Sequence, residues 1–142
     1  MDERIVLRDI AERVIDEQVY PYLVERIDRS IGLSPGDLAT LGLAGWDRSR
    51  LARTIADALL EDTSRYGRLF RTEVGSLAYD PYEPLDPSAI DSVLARAYPP
   101  NRLTASAVAC VARIMGDTPD GPALINATGH AMSRVEHTFR RV

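Results

Sequence analysis

One segment near the middle of the chain constrains the fold most, because it repeats a triplet of bulky, acidic and proline residues three times. Its sequence is Tyr79-Asp80-Pro81-Tyr82-Glu83-Pro84-Leu85-Asp86-Pro87. Proline fixes φ near −65° and disfavours helical backbone at the residue before it. The repeat therefore predicts an extended, Pro-rich connector at 79–87 between two helical parts of the chain.

The connector supports two interpretations. With about three residues per turn of polyproline II, the bulky side chains share one edge and the acidic ones a second: Tyr79, Tyr82 and Leu85, then Asp80, Glu83 and Asp86. The bulky edge either packs back onto the helices or forms an exposed recognition edge for a partner with basic residues. Alanine at Tyr79 and Tyr82 separates these interpretations by its effect on stability and on binding.

Length and composition indicate one globular domain over residues 1–142, since 45% of the residues are hydrophobic. The formal net charge of −4 argues mildly against a protein that coats nucleic acid. All 17 basic residues are arginine, which indicates a GC-rich coding sequence such as that of an actinobacterium or its phage. The single cysteine, and the lack of a signal peptide or an apolar run of membrane-spanning length, predict a cytoplasmic protein.

Helical signals cover most of the chain, and no segment alternates as a strand should. We therefore predict an all-α, single-domain bundle of about six or seven helices. Pro21 ends or kinks the first helix, and 67–78 stays ambiguous because of its glycines. The other predicted helical signals are 3–20, 23–31, a start at Ser34-Pro35-Gly36-Asp37, 48–66, a start at Asp86-Pro87, 102–115 and 122–141. Residues 102–115 are apolar almost all round, so we expect that helix at the buried centre.

The last helix carries four basic residues on one side, which are His130, Arg134, His137 and Arg141. They form either a solvated face suited to a helix C-terminus or a docking strip for an acidic partner or a phosphate. Docking would strengthen as histidines gain charge near pH 6. Two histidines without a third ligand at matched spacing do not predict a metal site.

Two further arginine groups have weaker patterns. Residues 35–60 have the outline of a helix–turn–helix, with Arg48, Arg50 and Arg53 early in its second helix. The second group lies beside Tyr66 and Phe70, where its members either contact phosphates and stack on bases or are scattered surface charges; it comprises Arg65, Arg68 and Arg71.

Catalytic chemistry has little support in the sequence. Asp9, Glu12 and Asp16 share one face of the first helix. This is either a solvated helix face or a set of carboxylates that binds a cation or acts as paired acid and base. Cys110 lies among small apolar residues and is expected to be an inert structural thiol. The phosphate-binding loop, nucleophile-elbow and zinc-protease motifs do not occur, so we predict no catalytic residue, cofactor or metal.

The sequence favours a non-enzymatic interaction or assembly module, such as an adaptor or a structural subunit of a bacterial or phage complex. A protein partner or self-association is expected, because surfaces of opposite sign on one chain permit head-to-tail contacts. The alternative is a nucleic-acid-binding regulator that uses residues 35–60. A third possibility is a small enzyme with a cleft at 67–87, for which no catalytic residue is nominated.

Overall fold

The structure is a computed structural model that describes residues 10–77 and 83–139. Within these ranges the chain is all helical, with a π-helical turn (Ile15–Val19) followed by seven α-helices in a single compact arrangement. The helices are α1 (Tyr20–Ile31), α2 (Pro35–Thr40), α3 (Arg48–Leu60), α4 (Arg65–Gly75), α5 (Pro87–Ala97), α6 (Arg102–Met115) and α7 (Gly121–Phe139). The predicted all-α bundle is therefore confirmed.

The helix does not end at Pro21, because helical backbone continues from residue 10 to residue 31. Proline has no N–H to bond to the carbonyl four residues earlier. The π-helical turn lies directly before it, where the Tyr20 N–H bonds to the Ile15 carbonyl five residues back. The wider turn lets the helical chain continue through Pro21, and Gln18 within this turn contacts the connector.

The predicted helix starts are confirmed by their caps. Ser34 and Asp37 form a capping box, with distances of 3.1 Å from the Asp37 nitrogen to Ser34 Oγ and 2.9 Å from the Ser34 nitrogen to Asp37 Oδ2. Asp47 accepts from the Arg50 N–H at 2.8 Å to begin α3. Asp86 begins α5 in the same way, since its carboxylate accepts the Ser88 N–H at 3.0 Å.

Four helices enclose the main core. α1 packs against α3 and α7, and α6 packs against the same two helices, so the four close a ring. Each contributes apolar side chains that are almost fully buried, such as Ile27, Ile55, Val111 and Met132. α4 and α5 form a pair beside this ring, and α4 contacts the π-helical turn and α3.

The expected helix over 48–66 is wrong at its end, because α3 stops at Leu60 and α4 begins at Arg65. The Asp62 carboxylate accepts the Ser64 N–H at 3.0 Å, and Ser64 caps α4. Gly67 permits this turn, since a Cβ there would lie within 2.4 Å of the Asp62 carbonyl oxygen. These local hydrogen bonds compete with continued helix and restart the chain in a new direction.

The expected burial of residues 102–115 is also wrong in part. α6 has the predicted bounds, but Ala105, Ala109 and Ile114 are exposed. Its buried side includes Ser106 and Cys110, and the burial of Cys110 is that expected of a structural thiol. Alanine has too little apolar area to force a face into the core. The four-helix ring therefore buries only one side of α6.

Candidate functional site

A groove of about 950 Å³ opens where the end of α1, the start of α6 and the last turns of α7 meet. Its walls combine cations, hydroxyl groups, one carboxylate and the backbone of two helix termini. The lining residues are Arg29, Ser30, Asn101, Thr104, Ala105, Ser133, Arg134, Glu136, His137 and Thr138. The volume lies within the range of about 300–1,000 Å³ that is usual for ligand clefts.

The floor of the groove is built by Glu136, which is only 5% exposed. Its carboxylate accepts the Asn101 N–H at 2.8 Å and the Thr104 N–H at 2.6 Å. These donors belong to the cap position and the third residue of α6, whose own cap side chain makes no hydrogen bond. Glu136 therefore caps α6 from another helix, and its negative charge meets the positive end of the α6 dipole.

Asn101 makes this arrangement possible through its backbone conformation. Its φ is +69°, a left-handed value that asparagine tolerates better than most residues. The turn follows Pro99 and Pro100, which prevent the preceding helix, α5, from continuing. The sharp reversal points the first N–H groups of α6 toward α7, where Glu136 receives them.

Arg134 closes the α1 side of the groove. Its Nε donates to the Ser30 carbonyl at 3.3 Å, near the C-terminal end of α1. The guanidinium lies over Gly32, where an added Cβ would come within 2.7 Å of it, and Gly32 itself has a φ of +65°. A cation at a helix C-terminus is electrostatically favourable, so part of Arg134 has a structural role.

Three exposed basic side chains line the groove: Arg29 on α1 and Arg134 and His137 on α7. The Glu136 carboxylate lies below them and is turned to backbone N–H groups. The accessible rim is therefore basic, and it offers hydrogen-bond donors to acidic groups from two different helices.

The structure brings together only part of the predicted basic strip. Arg134 and His137 line the groove, whereas His130 is exposed on α7 outside it. Arg141 lies outside the described residues. Whether the strip is a docking surface stays a prediction, but the described residues add Arg29, which the sequence did not single out.

The described part of the connector is held against the helical body. Gln18 Nε2 donates to the Glu83 carbonyl at 2.7 Å, and Gln18 Oε1 accepts the Leu85 N–H at 2.8 Å. Leu85 packs against the core, as the packed interpretation of the bulky edge requires. Glu83 and Asp86 are exposed, with Asp86 serving as the α5 cap. Tyr79, Asp80 and Tyr82 lie outside the described residues.

The segment predicted as a helix–turn–helix has a different local geometry. Residues 41–47 separate α2 from α3, which is longer than the usual turn of about 3–4 residues. Arg48 forms an ion pair with Asp28 at 2.8 Å, and the Arg50 guanidinium lies 3.8 Å from the ring centre of the buried Trp46. Arg53 is exposed on α3. Nucleic-acid binding by this segment stays a prediction.

A buried polar network lies below the junction of α3 and α4. The Tyr98 hydroxyl donates to Asp62 Oδ2 at 2.9 Å, and both residues are almost fully buried. Burial, followed by the nearby Asp62 charge, raises the pKa of Tyr98. The same two causes raise the pKa of the Cys110 thiol, which is buried and reduced in this fold. A thiol with a raised pKa is a poor nucleophile.

Two arginines complete this junction by binding the end of α3. Arg71 donates to the Leu60 carbonyl and Arg113 to the Glu61 carbonyl, each at 3.0 Å. The carbonyl groups at a helix C-terminus lack intrahelical donors. Arg71 thus has a structural contact, and the phosphate contact that the sequence left open stays a prediction.

Sequence reasoning did not single out Glu136. Its register gave a signal, since Thr128, Met132 and Glu136 follow at intervals of four and all are buried. An acidic residue in a core register indicates a buried partner. That partner, the start of α6, is not visible in sequence spacing.

The described residues contain no group of three or more histidine, cysteine, aspartate or glutamate side chains placed to hold a metal ion. None of their helices combines the length and apolar character needed to cross a membrane. Comparison with protein-family models, with curated proteins and with solved structures gives no match.

Proposed function

We propose that this protein is a non-enzymatic interaction module that binds an acidic segment of a partner protein in the groove between α1, α6 and α7. The observation that carries the proposal is the basic rim: Arg29 of α1 and Arg134 and His137 of α7 line the same groove. Charge complementarity of this kind steers partners and sets their register.

The rim is suited to an elongated acidic ligand. Arg134 and His137 are three residues apart on α7, which corresponds to about 4.5 Å along the helix axis. Arg29 lies in the last turn of α1 and lines the same groove. A segment lying between the two helices would meet a cation on each side, and the nearby hydroxyl groups of Ser30 and Ser133 would bind its backbone.

The groove already contains one bound carboxylate, that of Glu136. Its carboxylate already occupies the backbone N–H groups at the start of α6, at the base of the same groove. The rim cations lie outside that contact, so a partner's acidic side chains would bind to the rim without displacing Glu136. The groove floor then stays fixed while the ligand binds, which limits the entropy lost on binding.

A peptide-display selection tests the proposal. The immobilised protein is used to select from a library of random twelve-residue peptides at pH 6, where histidine side chains are largely charged. We expect the selected peptides to be enriched in aspartate and glutamate. A selection without acidic enrichment would contradict the proposal.

Paired variants then locate the binding. The double variant Arg29→Gln/His137→Gln removes two basic side chains from the rim. Two exposed charge pairs together contribute enough free energy to weaken binding of a selected peptide about tenfold. The matched control, Arg68→Gln with His130→Gln, removes the same charges from exposed sites outside the groove. It should bind within about twofold of wild type, and equal weakening of both pairs would refute the groove as the site.

A second copy of the chain is the competing occupant, because Glu83 and Asp86 are exposed on the connector. Light scattering after size exclusion, over a concentration series at two salt levels, separates the cases. A monomer that binds acidic peptides supports a foreign partner. The other outcome is an oligomer whose size increases with protein concentration, which dissociates in salt and which the rim double variant does not form. That result would show that the groove binds a second copy of the chain and not a foreign partner.

A further inference from the structure

Two arginines converge on one tyrosine on the α4 and α6 side of the molecule. The guanidinium carbons of Arg65 and Arg102 lie 4.9 Å and 4.8 Å from the ring centre of Tyr66. Arg65 also donates to the Tyr66 hydroxyl at 3.0 Å. One side chain comes from the start of α4 and the other from the start of α6, so the contact joins two separate helices.

The ring that both arginines contact packs against a second aromatic side chain. Tyr66 stacks on Tyr98 with 6.2 Å between ring centres and 30° between planes. Tyr98 is 1% exposed and donates its hydroxyl to the buried Asp62. The aromatic support is thus anchored in the core, which preorganises the two guanidinium groups above it.

The two charges are not neutralised nearby. Neither Arg65 nor Arg102 forms an ion pair with a carboxylate of the described chain. Two acids at these helix starts, Asp62 and Glu136, are buried and accept backbone N–H groups of Ser64, Asn101 and Thr104. Like charges at adjacent helix starts repel each other and oppose the local helix dipoles.

The two arginines also act on the phenol group of Tyr66, whose pKa is lowered. The hydrogen bond from Arg65 is the main cause that lowers the pKa of Tyr66, and the charges of Arg65 and Arg102 add to it. An anion placed at this point would gain from both guanidinium groups. Each group presents a planar fork that matches the oxygen geometry of a phosphate.

We propose that Arg65, Tyr66 and Arg102 form a binding site for the phosphate group of a small phosphate monoester. A monoester phosphate carries a charge of about −1.5 to −2 at pH 7, which matches two guanidinium cations. Its ester oxygen and organic group would point away from the protein, beyond the Tyr66 ring edge. The site is separate from the groove rim and uses none of the rim cations.

Phenyl phosphate is the probe, and the arginine Nε–Hε signals in NMR spectra are the readout. We expect the Arg65 and Arg102 signals to shift together and to saturate with one binding constant. Benzoate has a similar ring but a single negative charge, and it should bind about tenfold more weakly. Signals that do not shift, that shift without saturation, or that saturate only at the groove arginines would overturn the proposal.

Conservative variants show whether the fork geometry matters. Arg102→Lys and Arg65→Lys each keep the charge and remove the planar fork, and each should weaken phenyl phosphate about tenfold. Arg68→Lys on the same helix as Arg65 is the control and should bind within about twofold of wild type. Thermal unfolding by circular dichroism verifies that all three are folded. Equal binding by all three variants would overturn the site.

Discussion

Replacing Glu136 with alanine removes the cap that α7 supplies to α6. Two backbone hydrogen bonds are lost, from the Asn101 N–H at 2.8 Å and from the Thr104 N–H at 2.6 Å. Losing a helix cap costs about 0.5–2 kcal/mol, and a hydrogen bond to a charged group contributes about 1.5–3 kcal/mol. Both donors are partly reached by water, so we expect a loss of about 2–3 kcal/mol.

Urea unfolding followed by far-UV circular dichroism measures this loss. The midpoint should fall while the slope with urea stays unchanged, because the surface exposed on unfolding is the same. The melting temperature should drop by roughly 6–12 °C for a chain of this size. Glu136→Gln keeps one carbonyl oxygen and should lose about half as much.

The control is Glu25→Ala, which removes an exposed glutamate from α1 and should change stability by less than about 0.5 kcal/mol. Hydrogen exchange adds a local readout, since the amides of Asn101 and Thr104 should lose protection before the rest of α6 does. An alanine variant within about 0.5 kcal/mol of wild type, the usual limit for a surface substitution, would refute the capping role.

Three further predictions concern the junction of α3 and α4. Gly67→Ala should lower the free energy of unfolding by about 2 kcal/mol or more, because its Cβ would meet the Asp62 backbone; unchanged urea unfolding would contradict this. Since the folded state raises the pKa of Tyr98 above the ordinary value of 10.0, its contribution is complete below that pH and is lost as pH rises above it. Unfolding of the wild type at alkaline pH should therefore begin near this pH, and the stability of Tyr98→Phe should depend less on pH. Identical stability-versus-pH profiles of the two proteins would contradict this prediction. Cys110 should react slowly with iodoacetamide in the native state and rapidly in denaturant, and equal rates would show that the thiol is accessible.

Local chemistry made several parts of the fold predictable. The caps at Ser34, Asp47 and Asp86 depend only on residues two or three positions away, so the sequence specifies them directly. The bounds of α6 were predicted for the same reason, since Pro99 and Pro100 precede it and Gly116 follows it.

Contacts between distant residues explain what the sequence left out. The end of α3 depends not only on the local bonds of Asp62 and Ser64 but also on Arg71 and Arg113, which come from two other helices. Burial of one side of α6 depends on which helices surround it, and alanine-rich faces do not decide that. The groove likewise is lined by Arg29 and His137 together, although these residues are far apart in sequence. Hydrophobic periodicity describes single helices and carries no information about such pairings.

The most direct test of the groove as a binding site is a ¹H–¹⁵N NMR titration of the protein with an acidic peptide from the display selection. The account predicts saturating shifts that cluster on groove residues, with Ser30, Thr104, Ala105 and His137 among the largest. The same titration at high salt should show weaker binding. Shifts that cluster around Arg65 and Arg68, or that spread evenly over the surface, would contradict the groove as the binding site.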